Sequence, residues 1–163
     1  MHFHRAALIL TVIGAASARP QEISARQEFN TTCDDIHYII ARGTTEGYPG
    51  SLGSLVDILL AKFPNSNYED IIYPATQETS TDSYWQGLAK GTQQIKSYAD
   101  KCPDSKIVIM GYSQGALVVG DILAGGGNNS ELGNATTPPY IDFATYGQRG
   151  KWIDVELSIA RRC

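Results

Sequence analysis

Apolar residues follow two alternating spacings along the chain, and this alternation predicts three strands that are each followed by a helix. Short apolar runs predict buried strands over 36–40, 68–73 and 106–110. Apolar residues three and four positions apart predict helices over 52–63, 85–98 and 113–124. The order β-α-β-α-β-α favours an α/β fold in which helices cover both faces of a parallel sheet.

The ends of these elements are marked by residues that interrupt regular structure. Pro64 and Asn65 end the first helix, and Pro74 stops the second strand. The polar residues 81–83 start the second helix. In a parallel sheet, functional groups gather at the carboxyl ends of the strands. Thr44 follows the first strand and Ser113 the third, so the two residues meet if those strands are neighbours.

The segment Gly111-Tyr112-Ser113-Gln114-Gly115 joins the third strand to the third helix. A strand, a sharp turn and a helix form the context in which G-x-S-x-G indicates a nucleophile elbow, with Ser113 as the nucleophile. The glycines leave room for the strained turn that lifts the hydroxyl clear of the sheet. The alternative is a glycine-rich turn with a capping serine, because these residues suit any tight turn.

The sequence also offers hydrogen-bond donors for an oxyanion hole. The backbone N–H of Gln114 directly follows the predicted nucleophile, where such folds place one donor. Thr44 can add a backbone N–H and a hydroxyl, although a threonine there can equally cap a loop or a helix. Each donor aimed at a developing oxyanion contributes about 3 kcal/mol in the transition state.

A base for the serine is much harder to find. Of the three histidines, His2 and His4 lie at the N-terminus and His37 near the start of the first strand. Five residues at about 3.3 Å each place His37 on the order of 15 Å from Ser113, so we interpret it as structural. Other titratable residues are poor bases at their ordinary pKa values; they are Asp121, Asp142, Asp154 and Lys151.

The chain has 163 residues, of which 42% are hydrophobic and 18% charged, with a formal net charge of −4. These values predict one globular domain and argue against nucleic acid as a partner. An apolar run over 6–16 and the cleavage pattern Ala16-Ser17-Ala18 predict a signal peptide over 1–18, followed by a flexible lead over 19–32. A buried first helix is the alternative. We therefore expect a secreted, extracellular protein with no membrane span.

Export permits disulfides and glycans. Cys33 lies three residues before the first strand and Cys102 four before the third, so neighbouring parallel strands would bring both to one edge for bridging. Cys163 is then left over. Glycosylation sequons begin at Asn30, Asn128 and Asn134.

Four segments in order resemble the cutinase and acetylxylan esterase family; they are Ala41-Arg42-Gly43-Thr44-Thr45-Glu46, Ile72-Tyr73-Pro74-Ala75, Cys102-Pro103 and Gly111-Tyr112-Ser113-Gln114-Gly115-Ala116. The resemblance implies an α/β-hydrolase-type three-layer fold and a secreted fungal carboxylic ester hydrolase. It implies Ser113 as the nucleophile, Thr44 and Gln114 as oxyanion-hole residues and Cys33–Cys102 as the family's bridge. The implied substrate is an ester-bearing plant polymer, cutin or acetylated xylan. We also expect a monomer, and we expect no cofactor or metal because no metal cluster, phosphate loop or cofactor motif appears in the sequence.

The chain departs from the family after about residue 139. The family places its catalytic Asp and then His well downstream of the serine, whereas no histidine follows Ser113 here. We therefore expect a partial cutinase-like domain over 33–139, an atypical tail over 140–163 and missing C-terminal strands. The third strand would then be an apolar edge unless residues 155–159 cover it. The alternative function is a non-catalytic, truncated family member or a secreted binding protein.

Overall fold

The computed structural model describes residues 33–77, 82–126 and 137–147, together with the backbone of 153–156. The predicted signal peptide and lead, the sequons at Asn30, Asn128 and Asn134, and Lys151 and Cys163 lie outside these residues. No helix within the described ranges has the length and apolar character that a bilayer crossing requires.

The architecture is a parallel sheet with helices on both faces, as the apolar pattern predicts. The strands are β1 (Ile36–Ala41), β2 (Ser66–Asp70), β3 (Lys106–Gly111) and β4 (Ile153–Glu156), and they lie in the order β2-β1-β3-β4. The helices are α1 (Gly53–Lys62), α2 (Asp82–Lys101), α3 (Gln114–Ala124) and the short α4 (Phe143–Tyr146). All pairings are parallel, so β1 and β3 end side by side, with Ala41 opposite Gly111.

Alternate residues of the central strands enter two separate cores. Tyr38 and Ile40 pack with α1 residues such as Val56 on one face of the sheet. Ile39 and Ile109 pack on the other face with α2 and α3. Because successive side chains of a strand point to opposite faces, this division makes both faces of the sheet apolar. The result is the three-layer arrangement expected for an α/β hydrolase.

The disulfide predicted at the amino edge of the sheet is present. Cys33 and Cys102 are bonded, with their Cα atoms 5.5 Å apart and a sequence separation of 69. The adjacency of β1 and β3 brings the two cysteines together, as the sequence argument required.

Two sequence expectations need correction. The second strand was expected over 68–73, but β2 spans Ser66–Asp70. Beyond it, the amides of Ile72 and Tyr73 donate to side chains, the Gln94 amide oxygen at 3.2 Å and the Tyr48 hydroxyl at 3.1 Å. The third helix was predicted over 113–124, but α3 begins at Gln114 because the backbone of Ser113 is not helical.

Residues after 139 also contribute to the fold. Ile141 is fully buried in the core on the α2 and α3 face. β4 pairs with β3, with Val108 opposite Ile153 and Gly111 opposite Glu156. The carboxyl part of β3 is therefore not an open edge in this structure.

Candidate active site

Ser113 occupies a strained turn between β3 and α3. Its φ of 53° and ψ of −117° lie in a region that residues with a side chain rarely adopt. The side chain is exposed at the carboxyl edge of the sheet, and α3 begins at the next residue. This is the conformation of a nucleophile elbow, in which the backbone aims a serine hydroxyl away from the sheet.

The glycines that flank Ser113 are required by close backbone contacts. A Cβ atom at Gly111 would lie 2.4 Å from the Gly115 carbonyl oxygen. A Cβ atom at Gly115 would lie 2.1 Å from the carbonyl oxygen of Ala41. Both distances are shorter than any side chain tolerates, so the first turn of α3 packs directly on the end of β1.

The loop after β1 is thereby held beside the elbow. The Tyr112 amide donates to the Ala41 carbonyl at 3.0 Å. A Cβ atom at Gly43 would lie 2.8 Å from the Tyr112 ring, so the backbone of Gly43 lies against that ring. Thr44 follows Gly43 and is partly exposed. The loop that contains Thr44 therefore lies beside the turn that contains Ser113, because β1 and β3 are neighbours in the sheet.

The Gln114 amide, at the start of α3, has no acceptor among the residues that the structure describes. The next two amides are already used, since Gly115 donates to the Tyr112 carbonyl at 2.8 Å and Ala116 to the Ser113 carbonyl at 3.0 Å. The first N–H groups of a helix have no acceptor within the helix and carry its partial positive charge. The Gln114 N–H is therefore suited to stabilise an anion next to Ser113.

The side chain of Gln114 fixes the other side of the site. It is buried, and its amide nitrogen donates to the Thr76 carbonyl at 2.8 Å. Its amide oxygen accepts from the Ser83 hydroxyl at 3.3 Å, and that hydroxyl accepts from the Thr76 amide at 3.1 Å. These bonds tie the elbow to the start of α2 and to the segment that follows β2.

Backbone strain is concentrated at this edge of the sheet. Within the described ranges, the residues other than glycine with a positive φ are Thr45, Ala75 and Ser113. The Thr45 amide donates to the Ala75 carbonyl at 2.7 Å, so two of the three strained residues contact each other. Strained backbone of this kind persists where the surrounding contacts determine it, commonly at functional sites.

His37 lies outside this site, as expected. It is 1% exposed, and its ring stacks on Tyr98 with centroids 3.6 Å apart. One ring nitrogen contacts the Asn67 side-chain oxygen, and Nε2 lies 3.0 Å from Glu69 Oε1. Because both nitrogens have partners within the core, His37 has a structural environment.

The aspartates considered as bases are engaged elsewhere or lie in β4. Asp142 caps α4 by accepting from the Ala144 amide at 2.9 Å and the Thr145 hydroxyl at 2.6 Å. These bonds, led by the one from Thr145, lower the pKa of Asp142. Asp121 accepts from the Tyr84 hydroxyl. Asp154 pairs with Ile109 in the middle of β3 rather than at its carboxyl end.

The contacts of Arg42 and Glu46 beside the candidate site were not predicted from the sequence. Arg42 is buried and donates from Nε to the Glu46 carbonyl, and the Glu46 carboxylate accepts from the Gly43 amide, so both residues contact the loop that contains Thr44. A charged residue immediately after a continuous apolar strand was the available signal. No group of three or more His, Cys, Asp or Glu side chains in the described part of the chain could hold a metal ion.

The strained turn, the helix that follows it and the parallel sheet are the features of an α/β-hydrolase fold. Residues 32–140 match the cutinase family, so the chain belongs to the cutinase family. It is 36% identical over 117 residues to cutinase 11 of Verticillium dahliae, covering 66% of this chain and 39% of that protein. It is 34% identical over 140 residues to acetylxylan esterase 2 of Talaromyces purpureogenus, covering 80% of this chain and 58% of the relative.

A solved structure has the same fold. The catalytic core domain of the acetyl xylan esterase from Trichoderma reesei superimposes with a TM-score of 0.66 at 27% identity, covering 77% of this chain and 64% of that domain. The chain thus spans between 39% and 58% of the length of the two curated relatives named above.

Proposed function

We propose that this chain is a secreted serine esterase that hydrolyses carboxylic esters of plant polymers, cutin or acetylated xylan, through an acyl-enzyme on Ser113. The observation that carries the proposal is the strained Ser113 turn packed against the Thr44 loop. The relatives named cutinase and acetylxylan esterase support both substrate classes equally. The Cys33–Cys102 disulfide supports export to an oxidising compartment.

In this mechanism the Ser113 oxygen attacks the ester carbonyl and forms a new C–O bond, while the carbonyl oxygen becomes an oxyanion. The N–H of Gln114 and the N–H and hydroxyl of Thr44 stabilise that charge. The C–O bond to the alcohol then breaks, and the alcohol leaves with the proton that Ser113 gave up. Water attacks the acyl carbonyl in the same geometry, the C–O bond to Ser113 breaks, and the products are the carboxylic acid and the Ser113 hydroxyl, which regains a proton from the water. Cutin and acetylated xylan differ in acyl length. The parts of the site that receive the acyl group and the alcohol therefore determine which of the two polymers is hydrolysed.

The Ser113 proton needs an acceptor, and the sequence offers only His37 apart from two histidines in the predicted signal peptide. The contacts of His37 to Asn67 and Glu69 argue against that role. An oxyanion hole and substrate binding alone retain rate enhancements of about 10³–10⁴ over water, so turnover that depends on Ser113 requires in addition a base that accepts its proton. An activated ester with a good leaving group is therefore the appropriate first substrate.

The test compares hydrolysis of p-nitrophenyl butyrate by the wild-type chain, Ser113→Ala and Ser54→Ala. Ser54 is an exposed serine on α1 and serves as the matched control. We expect Ser113→Ala to remove the activity and Ser54→Ala to retain it. Equal rates for wild type and Ser113→Ala would overturn the esterase proposal. A second candidate, a non-catalytic binding protein, would then be favoured by the lack of a histidine near Ser113 among the described residues.

A further inference from the structure

Arg42 is a buried cation at the centre of the loops that border the candidate site. Only 8% of the residue is exposed. Its guanidinium donates to the carbonyls of Glu46 at 2.7 Å, Tyr73 at 2.8 Å and Pro74 at 3.0 Å. Burying a charge is costly unless it is hydrogen-bonded, and these three bonds offset that cost.

These carbonyls belong to two different loops. Glu46 lies in the loop after β1, which contains Thr44, whereas Tyr73 and Pro74 lie in the segment after β2. The Tyr73 hydroxyl in turn donates to the Arg42 carbonyl. The guanidinium therefore links the Thr44 loop to its neighbour, beside the backbone bond from Thr45 to Ala75.

Two aromatic rings hold the guanidinium in place. Its central carbon lies 4.0 Å from the centroid of the Tyr48 ring and 5.2 Å from that of Tyr73. A planar guanidinium stacks on such rings while its N–H groups donate in a fixed fork. The Tyr48 hydroxyl also donates to the Tyr73 carbonyl at 3.1 Å, which closes the arrangement.

Glu46 closes the same loop with its carboxylate. One oxygen accepts from the Gly43 amide at 2.7 Å, and the other accepts from the Ser51 amide at 3.1 Å. Gly50, with a φ of 75°, lies so close that a Cβ there would be 2.6 Å from the Glu46 carboxylate and 2.8 Å from the Arg42 Cβ. The carboxylate thus holds the residue before Thr44 in a single orientation.

We propose that Arg42 and Glu46 are positioning residues that fix the Thr44 loop and so set the second donor of the oxyanion hole. This rests on the proposed esterase function. Neither side chain needs to touch the substrate, because each acts through the backbone on either side of Thr44. A loop that is free to move would withdraw the Thr44 donors from the oxyanion while leaving Ser113 and the Gln114 amide in place.

The experiment compares Arg42→Lys, Glu46→Gln and the control Asn67→Ala. Lysine keeps the charge but lacks the planar fork, so it cannot reach carbonyls on two loops at once. Asn67 contacts His37, and His37 lies four residues before Ala41, about 13 Å along β1 from the end that leads into the Thr44 loop. Replacing Asn67 therefore affects the core far from that loop.

Two readouts are measured on each folded variant. Amide hydrogen exchange in peptides covering 42–52 and 71–77 reports the loop without requiring activity. Ser113-dependent hydrolysis of p-nitrophenyl butyrate reports the oxyanion hole. We expect Arg42→Lys and Glu46→Gln to speed loop exchange and to lower kcat by about 100-fold, the loss of one oxyanion donor, with KM within about twofold. Asn67→Ala should change neither the amide exchange of the loop peptides nor kcat.

The outcomes separate this proposal from the esterase proposal. If wild type shows no Ser113-dependent turnover, the esterase proposal fails, and loop exchange alone decides whether Arg42 and Glu46 fix the loop. Unchanged loop exchange in both variants overturns the positioning role. Faster exchange with an unchanged kcat overturns it as well, because the loop would then move without affecting the reaction. If Arg42→Lys does not fold, Glu46→Gln carries the same test.

Discussion

Gly115 packs so closely on Ala41 that a Cβ atom added to the glycine would lie 2.1 Å from the Ala41 carbonyl oxygen. This contact joins the first turn of α3, which follows the candidate nucleophile, to the end of β1, which leads into the Thr44 loop. Because the atoms in contact belong to the backbone, no side-chain rotation can relieve a clash there.

We predict that Gly115→Ala destabilises the fold by about 3 kcal/mol or more, since one of the two backbone segments must shift. Gly120 on the same helix is the matched control, because a Cβ added there meets nothing within 4 Å. Gly120→Ala should stabilise the protein by about 0.4–1 kcal/mol. Denaturant unfolding measures both changes, and a Gly115→Ala variant as stable as Gly120→Ala would contradict the packing described.

The disulfide offers a second test. Cys33 and Cys102 close a loop with a sequence separation of 69. On the chain-entropy model, replacing both by serine should lower the free energy of unfolding by about 4 kcal/mol. A reducing agent should lower the stability of wild type towards that of the double variant and leave the variant unchanged. Equal stability of wild type with and without reductant would argue against the bridge.

A third prediction concerns His37. Replacing it by glutamine removes the Tyr98 stacking and disturbs the contacts to Asn67 and Glu69. We expect a loss of about 1–3 kcal/mol in stability, with the activity of each folded molecule retained. Thermal unfolding and active-site titration separate the two quantities. A large loss of activity at unchanged stability would instead place His37 in the reaction.

The alkaline stability of the fold depends on buried tyrosines. The pKa of Tyr84 is raised, first by burial and then by its hydrogen bond to Asp121. Burial also raises the pKa of Tyr73, and the nearby Arg42 only partly offsets this. Because the folded pKa exceeds the ordinary value near 10, the unfolded chain loses its protons first as the pH rises. The stabilising contribution is complete below pH 10 and is lost as the pH rises through and above that value.

We therefore predict that the thermal midpoint of wild type falls between pH 9 and pH 11. Tyr84→Phe should start from a lower midpoint at pH 8, because its hydrogen bond to Asp121 is absent. It should then fall less steeply above pH 10, because one raised group has been removed. Parallel pH curves for the two proteins would show that Tyr84 does not contribute to the alkaline transition.

Local pattern was sufficient to predict most of the fold. Strands β1 and β3 are buried on both faces and appear as short apolar runs, whereas their adjacency was only a condition of the sequence argument and comes from the structure. The end of β2 was placed wrongly because the amides of Ile72 and Tyr73 bind side chains from other elements. The apolar run continues through these residues, and it does not show whether their amides bond to a neighbouring strand or to a side chain.

The candidate site was predictable only in part. The G-x-S-x-G segment combines the glycines and the serine that a strained turn requires, so Ser113 and Gln114 could be named from the motif. The Arg42 arrangement depends instead on carbonyls of Tyr73 and Pro74, which any residue could provide. Backbone carbonyl acceptors cannot be identified from the sequence, so the proposed role of Arg42 follows only from the structure.

The most direct test of the central claim is covalent trapping of Ser113. A p-nitrophenyl alkylphosphonate transfers its phosphonyl group to an activated serine oxygen and releases p-nitrophenol, leaving an adduct that intact-mass and peptide mass spectrometry can locate. We expect one adduct on wild type, within the peptide that contains Ser113, and none on Ser113→Ala. An unmodified wild-type chain, or equal labelling of Ser113→Ala, would contradict the assignment of Ser113 as the nucleophile.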